Sequence, residues 1–167
     1  MKPALLVVDV QKQFFNNSPI TAQSLNDAIE HINAAIKIFR ERNLPIICIQ
    51  HIDNEDGLIP GAEGYDLLES LNITPHDRRI AKTYGNAFNK TGLAGVLREL
   101  GVDTVIITGY CAEYCVLSSC RGAQDVDLTP ILLRGALASG RPENIKFVES
   151  VNEVISFRAL KKMLELT

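Results

Sequence analysis

One carboxylate in the sequence stands directly after a short apolar run. Asp9 follows residues 4–8, Ala-Leu-Leu-Val-Val, which has the composition of a strand buried on both faces. A carboxylate at such a position is costly to bury unless it is paired or hydrogen-bonded. Asp9 is therefore either a structural ion-pair partner or helix cap, or a general base whose pKa is tuned by partial burial. Taken alone, it favours the structural role.

Two cysteines follow another apolar run, residues 104–108, and the glycine after it. Cys111 and Cys115 then fall at the start of a predicted helix. The unpaired N–H groups and the positive dipole end of a helix favour a thiolate, and they can lower a cysteine pKa below its free value of roughly 8.5. The same N–H groups can stabilise an oxyanion. A free cysteine is also, more commonly, a small buried apolar residue.

The spacing of these cysteines argues against a structural metal or a redox pair. Cys111, Cys115 and Cys120 lack the second ligand pair that structural zinc requires, and neither His51 nor His76 belongs to a paired-histidine motif. No Cys-x-x-Cys motif is present. We therefore expect no metal and no cofactor.

A lysine supplies the third candidate. Lys82 precedes a segment, residues 83–88, that contains Tyr84, Gly85, Asn86 and Phe88. Most lysines are solvated surface charges. A lysine held beside a thiol would instead lower the thiol pKa and orient a neighbouring carboxylate.

The elements that must position these residues alternate between strands and helices. Predicted strands cover residues 4–8, 46–49, 104–108, 128–133 and 153–155, and residues 79–81 are either a small extra strand or a loop. Predicted helices cover residues 24–42 with Ser24 as the cap, 93–100, 113–124, and a terminal helix that carries Phe157, Leu160 and Leu164 and is capped by Ser156. This alternation predicts an α/β fold with a mostly parallel sheet and helices on both faces. Functional groups then collect beyond the carboxyl ends of the strands.

Composition and charge limit the class of protein. The chain has 167 residues, 46% apolar and 22% charged, with a formal net charge of -3, which predicts one domain over residues 1–167 and no nucleic-acid partner. The early apolar run is too short for a membrane span or a signal-peptide core. The four cysteines have the pattern typical of free thiols in a reducing compartment, so we expect a cytoplasmic protein.

Three segments, in this order, resemble one family. They are Val-Asp-Val-Gln around Asp9, Lys-Thr-Tyr-Gly-Asn-Ala-Phe from Lys82, and Gly-Tyr-Cys-Ala-Glu-Tyr-Cys-Val ending beyond Cys115. Together they are similar to the isochorismatase-like cysteine hydrolases, which include nicotinamidases and N-carbamoylsarcosine amidases. The resemblance runs from Leu5 to the terminal helix and implies a three-layer α/β/α Rossmann-like fold.

The resemblance also implies roles for residues. Cys115 would be the nucleophile, Asp9 the base that takes its proton, and Lys82 the group that positions Asp9 and stabilises charge. A cis peptide at Tyr110–Cys111 would direct the backbone N–H groups of Cys111 and Cys115 at the oxyanion. The expected substrate pocket is lined by Gln11, Phe14, Phe15, Tyr84 and Tyr110. The implied reaction is hydrolysis of a small amide-like C–N bond through an acyl-enzyme, by a homodimer or a higher homo-oligomer.

Two departures from the family pattern bear on the substrate. Metal-binding nicotinamidases carry Asp-x-His after the second strand, whereas this chain has the inverted order His51-Ile52-Asp53. A site of His51, Asp53 and His76 therefore stays open as an unfavoured metal candidate. Gly135 stands where the family often has an Asp, which we expect to affect local stability more than chemistry.

Alternative functions remain open at this point. One is a vinyl-ether hydrolase of the isochorismatase type, and another is a non-catalytic scaffold or binding protein that retains the fold. A nucleotide-binding or phosphoacceptor domain is disfavoured because Gly57, Gly61 and Gly64 do not form a Gly-x-Gly-x-x-Gly turn. Whether the loop at residues 53–64 forms a lid is also open.

Overall fold

A computed structural model describes residues 1–165 and contains one six-stranded sheet. The strands are β1 (Pro3–Val8), β2 (Ile46–His51), β3 (Arg78–Lys82), β4 (Thr104–Tyr110), β5 (Thr129–Ala138) and β6 (Val154–Ile155). Their order is β3-β2-β1-β4-β5-β6, and every pairing is parallel. The strand order reverses between β1 and β4, which is where an open parallel sheet forms a crevice for ligands.

Helices cover both faces of this sheet. They are α1 (Lys12–Phe15), α2 (Pro19–Glu41), α3 (Leu93–Glu99), α4 (Leu117–Asp125), α5 (Glu143–Ser150) and α6 (Phe157–Glu165). Leu5 and Val7 of β1 pack in one core with α2 and α6, whereas Leu6 and Val8 pack in a second core with α3, α4 and α5. The predicted three-layer α/β/α fold with a parallel sheet is therefore confirmed.

The start of the long helix differs from the prediction. Ser18, not Ser24, is the N-cap: its Oγ accepts a hydrogen bond from the Thr21 N–H at 3.1 Å, and Pro19 occupies the first helical position. The apolar periodicity begins only at Leu25, which is why it misplaced the cap. Ser24 lies inside the helix, where its Oγ accepts a hydrogen bond from the Ser139 N–H at 3.0 Å.

Two segments of the sheet also extend beyond their predicted bounds. The stretch around residues 79–81 is an edge strand, β3, with five residues. Strand β5 continues to Ala138 through a bulge, because Ile107 pairs with Leu132 whereas Gly109 pairs with Leu137. Gly135 lies in this bulge at a φ of +81°. A positive φ suits glycine, so the bulge explains why glycine is tolerated at this position.

The segment after β4 is not a simple α-helix. Residues Ala112–Val116 form a π-helical turn that leads into α4, and the Val116 N–H donates to the Cys111 carbonyl at 3.1 Å. Helix α5 has no counterpart among the predicted elements. None of the helices within residues 1–165 combines the length and the apolar character that crossing a membrane would require.

Candidate active site

The backbone at the centre of the sheet brings Asp9 to the carboxyl edge. Asp9 follows β1 with a left-handed φ of 51°, and its N–H donates to the Ile49 carbonyl at 3.0 Å. Gly109 of β4 lies beside Val8 with a φ of +109°, and a Cβ on it would overlap the Val8 carbonyl. Only glycine permits this close approach of β1 and β4. The side chain of Asp9 is fully buried.

A buried lysine joins three other side chains at this edge. Lys82 Nζ lies 2.8 Å from Asp9 Oδ2, and both side chains have no solvent exposure. The same Nζ donates to Cys115 Sγ at 3.3 Å and contacts His51 Nδ1 at 2.9 Å. The structure thus brings together Asp9, Lys82 and Cys115, which lie 73 and 33 residues apart in the chain.

The carboxylate of this cluster is unusual because its oxygens accept no well-directed hydrogen bond. Within residues 1–165, neither Oδ1 nor Oδ2 of Asp9 has a hydrogen-bond partner, so the contact with Lys82 is an ion pair held by charge. Burial raises the Asp9 pKa above its ordinary value, against the opposing effect of Lys82. A buried, under-satisfied carboxylate with a raised pKa is suited to accepting and returning a proton.

The thiol of Cys115 is more basic than the sequence suggested. Burial, followed by the Asp9 charge, raises its pKa to about 12, although Lys82 acts in the opposite direction. Burial therefore opposes the lowering of the Cys115 pKa that a helix start can bring about. A thiol with a raised pKa needs a neighbouring base to remove its proton before the sulfur can act as a nucleophile.

The three residues held open as a metal site do not come together. His51 ends β2 at the carboxyl edge, whereas His76 precedes β3, at the opposite end of the parallel pair. His51 Nδ1 is also engaged with Lys82. The unfavoured candidate site of His51, Asp53 and His76 therefore does not assemble, since the strands separate His76 from the other two residues.

A different set of three side chains has the spacing of metal ligands. Ligand atoms of Asp9, His51 and Cys115 all lie within 4.8 Å of one another. The Lys82 ammonium, however, lies within 3.3 Å of an atom of each of them. A metal ion among these three atoms would meet this positive charge, so the residues present do not fit a metal centre.

A second polar cluster, centred on Glu113, adjoins the first. The Glu113 carboxylate accepts hydrogen bonds from Ser139 Oγ (2.8 Å), Asn144 Nδ2 (3.0 Å) and Cys111 Sγ (3.1 Å). Burial would raise the Glu113 pKa, but these hydrogen bonds outweigh it and lower the pKa overall. Burial and the hydrogen bond to Glu113 raise the Cys111 pKa to about 11. The sequence analysis missed this cluster, since Ser139 and Asn144 belong to no recognisable motif.

The peptide bond between Tyr110 and Cys111 is cis. The Cys111 carbonyl after this bond accepts from the N–H groups of Tyr114 and Val116, which starts the π-helical turn that carries Cys115. The Cys111 side chain meanwhile points into the Glu113 cluster.

The five residues expected around the substrate have different surroundings. The rings of Phe14 and Tyr110 are 4.9 Å apart, and Phe15 packs against the core beneath α2. Tyr84 is 43% exposed, with its hydroxyl 3.1 Å from Lys90 Nζ. Gln11 is fully buried. The rings of Phe14, Tyr84 and Tyr110 are thus exposed or half-buried. Phe14 and Tyr84 lie on the segments that follow β1 and β3, and Tyr110 is the last residue of β4.

Gln11 fastens the loop that leaves β2. Its side chain accepts from the His51 N–H at 2.8 Å and donates to the carbonyls of His51 (3.1 Å) and Tyr65 (3.2 Å). The Tyr65 carbonyl also accepts from Gln50 Nε2 at 3.0 Å. Tyr65, at the far end of this loop, is thereby anchored to Gln11, which follows β1, and to Gln50 of β2. The side-chain amide of Gln11 is fully engaged in hydrogen bonds with backbone groups.

Comparison with known proteins identifies the family. The Isochorismatase domain model matches residues 3–150 of the chain. The chain is 30% identical over 128 residues to an uncharacterized isochorismatase family protein, YddQ, of Bacillus subtilis (strain 168), covering 74% of this chain and 70% of the relative. It is 27% identical to Nicotinamidase 3 of Arabidopsis thaliana over 135 residues, covering 72% of this chain and 65% of that protein.

Solved structures share the fold along almost the whole chain. One isochorismatase family protein has a TM-score of 0.84 and 29% identity, covering 93% of this chain and 98% of its own. The N-carbamoylsarcosine amidase of Thermoplasma acidophilum has a TM-score of 0.81 at 24% identity, covering 93% and 96%, respectively. With the family model matching most of its length, this chain belongs to the isochorismatase family of hydrolases.

Proposed function

We propose that this protein hydrolyses a small amide-like C–N bond through an acyl-enzyme on Cys115. The observation that carries the proposal is the fully buried Asp9–Lys82 pair beside the Cys115 thiol. A nucleophile, a base and a cation in contact are the parts that such a reaction needs. The name of the relative Nicotinamidase 3 supports an amide as the substrate class.

The first half of the reaction uses the Asp9 carboxylate, which is ion-paired with Lys82 but accepts no hydrogen bond within residues 1–165. As the Cys115 sulfur attacks the carbonyl carbon, Asp9 takes the thiol proton, so no free thiolate has to form in the buried site. Lys82 remains beside both groups and balances the negative charge that moves from Asp9 to the sulfur. The backbone N–H groups of Cys111 and Cys115 would then stabilise the oxyanion.

In the second half of the reaction, Asp9 donates a proton twice, first to the departing nitrogen and later to the Cys115 sulfur. The C–N bond breaks, Asp9 gives its proton to the departing nitrogen, and ammonia or an amine leaves a thioester on Cys115. A water molecule then attacks the thioester while Asp9 takes its proton. The C–S bond breaks, the carboxylic acid leaves, and the proton on Asp9 returns to the Cys115 sulfur.

The substrate, assembly and compartment belong to the same proposal. Phe14, Tyr84 and Tyr110 would form an aromatic rim for a small acyl group, and no cofactor is called for.

Exposed apolar side chains support a homodimer or a higher homo-oligomer: Tyr114 is 66% exposed and Phe147 is 59% exposed. Size-exclusion chromatography with light scattering tests this assembly. Four free cysteines support a cytoplasmic location.

The test combines an ammonia-release screen of small primary amides with intact-mass analysis of acid-quenched enzyme. We expect a mass increase equal to the acyl group on Cys115, and at least about a 10³-fold loss of turnover in Cys115→Ala. Cys120→Ala, which removes a buried thiol of the α4 core, is the matched control and keeps turnover. Wild-type turnover by Cys115→Ala would refute the proposal.

A further inference from the structure

The ammonium of Lys82 has three N–H donors and lies among three groups. It is ion-paired with Asp9 Oδ2 at 2.8 Å, and it is hydrogen-bonded to His51 Nδ1 at 2.9 Å and to Cys115 Sγ at 3.3 Å. Asp9 and Cys115 belong to the proposed reaction. His51 does not, although its contact with Lys82 is only 0.1 Å longer than the ion pair.

We propose that His51 is a positioning residue, whose Nδ1 accepts a hydrogen bond from the Lys82 ammonium and so keeps that ammonium directed at Asp9 and Cys115. This role rests on the proposed function only in taking Cys115 as the nucleophile, whereas the geometry around the Lys82 ammonium is independent of turnover.

The surrounding backbone holds the imidazole in the required place. His51 pairs with Lys82 in the β2–β3 register, and the Ile52 N–H donates to the Lys82 carbonyl at 2.8 Å. Both backbone groups of His51 are hydrogen-bonded to the buried Gln11 side chain. The backbone of residue 51 is therefore held by β3 on one side and by Gln11, which follows β1, on the other.

The charges around the imidazole favour its neutral form. Burial and the Lys82 ammonium lower the His51 pKa, while Asp9 and Asp53 act in the opposite direction. An ammonium can only donate, so the Nδ1 lone pair must accept and the ring proton resides on Nε2. His51 thus offers Lys82 an acceptor without adding a second negative charge to the site.

Loss of this acceptor should affect the thiol more than the carboxylate. A buried N–H left without a partner is unfavourable, so the ammonium turns or draws in water. The Asp9 contact is held by opposite charges, whereas the Cys115 contact is the longest of the three and involves a weak sulfur acceptor. We expect the Lys82–Cys115 hydrogen bond to be lost first.

The experiment compares His51→Gln, which retains an acceptor oxygen, with His51→Leu, which has similar size and no acceptor. The readout is the rate of Cys115 alkylation by iodoacetamide from pH 6 to 10, located by peptide mass mapping, together with Tm. We expect His51→Leu to slow alkylation about tenfold at each pH, because a hydrogen bond from a charged donor is lost. His51→Gln should stay within about threefold of wild type, and exposed His76→Ala, at the opposite sheet end, is the matched control.

Two results would overturn the inference. One is alkylation within twofold of wild type in His51→Leu, and the other is equal slowing in His51→Gln and His51→Leu with equal loss of Tm. If His51→Leu does not fold, His51→Met replaces it as the variant without a suitable acceptor. Alkylation needs no substrate, so the inference survives even if the wild-type protein releases no ammonia from any amide, a result that would refute only the proposed function.

Discussion

Two clusters at the same edge of the sheet contain a thiol and a carboxylate each, yet they differ in how the carboxylate is satisfied. Glu113 accepts hydrogen bonds from Cys111, Ser139 and Asn144, and its pKa is lowered. Asp9 has no hydrogen-bond partner within residues 1–165, and its pKa is raised by burial. The first arrangement is a closed network, whereas the second retains acceptor capacity for a proton.

The cation makes the second difference. Lys82 is fully buried beside Asp9 and Cys115, and the described contacts of the Glu113 cluster include no cation. In the proposed reaction, proton transfer from Cys115 to Asp9 would move a charge past the Lys82 ammonium, whereas the same transfer from Cys111 would break a satisfied network. The two clusters share a thiol and a carboxylate, so residue type alone does not distinguish them.

The largest difference between the clusters should appear in turnover. Asp9→Asn removes the group that accepts and returns protons, so we expect ammonia release to fall by on the order of 10² to 10⁴. Glu113→Gln keeps the side-chain shape and should change turnover by less than about threefold, because Glu113 moves no proton in the proposed reaction. Initial rates on one amide substrate distinguish the two, and the reverse ranking would mean that the reactive cluster has been misassigned.

The second-largest difference between the clusters should appear in the free energy of unfolding. Lys82→Met leaves the Asp9 carboxylate buried without its cation, which we expect to lower the free energy of unfolding by about 3–5 kcal/mol at pH 7. The deficit should shrink as the pH falls, because a buried carboxyl group with a raised pKa becomes neutral in the folded state first. Urea unfolding at pH 7 and pH 5 measures both effects.

Two further variants control this comparison. Asp9→Asn/Lys82→Met removes both charges and should recover most of the lost stability. Exposed Lys146→Met should have little effect at either pH. A deficit that is the same in the single and the double variant would show that lost packing, and not the unpaired charge, is responsible.

The smallest expected effect is the acid sensitivity contributed by Glu113. Its pKa is lowered on folding from 4.5, so its stabilising contribution is present above pH 4.5 and is lost as the pH falls through the lower folded value. Glu113→Gln should therefore be less stable than wild type at pH 7 but lose less stability on acidification to pH 3. Exposed Glu143→Gln is the control for the loss of a carboxylate near α5. Equal acid slopes for Glu113→Gln and wild type would contradict the role of this network.

The fold was largely predictable because parallel strands buried on both faces need continuous apolar runs. The runs that became β1, β2 and β4 were found in this way, and their alternation with helices implied the layers. The edge strand β3 is ambiguous in the sequence because most of its residues are not buried. The sequence does not predict α5 because this helix has a short apolar face. The sequence does not predict the N-cap of α2 at Ser18 because this residue precedes the periodic apolar pattern of the helix.

The sequence alone predicts Asp9 at the end of a buried strand and Cys115 at a helix start, and the three motifs around Asp9, Lys82 and Cys115, in this order, indicate the family. Which groups meet depends on the packing of distant segments. The fold places His51 against the Lys82 ammonium, His76 at the far end of the sheet, and the Cys111 thiol against Glu113. It also buried the Cys115 thiol beside Asp9, and both surroundings raise the Cys115 pKa. The physical reason is that local sequence sets strands, turns and helix termini, whereas burial and charge around a side chain depend on segments that are distant in the chain.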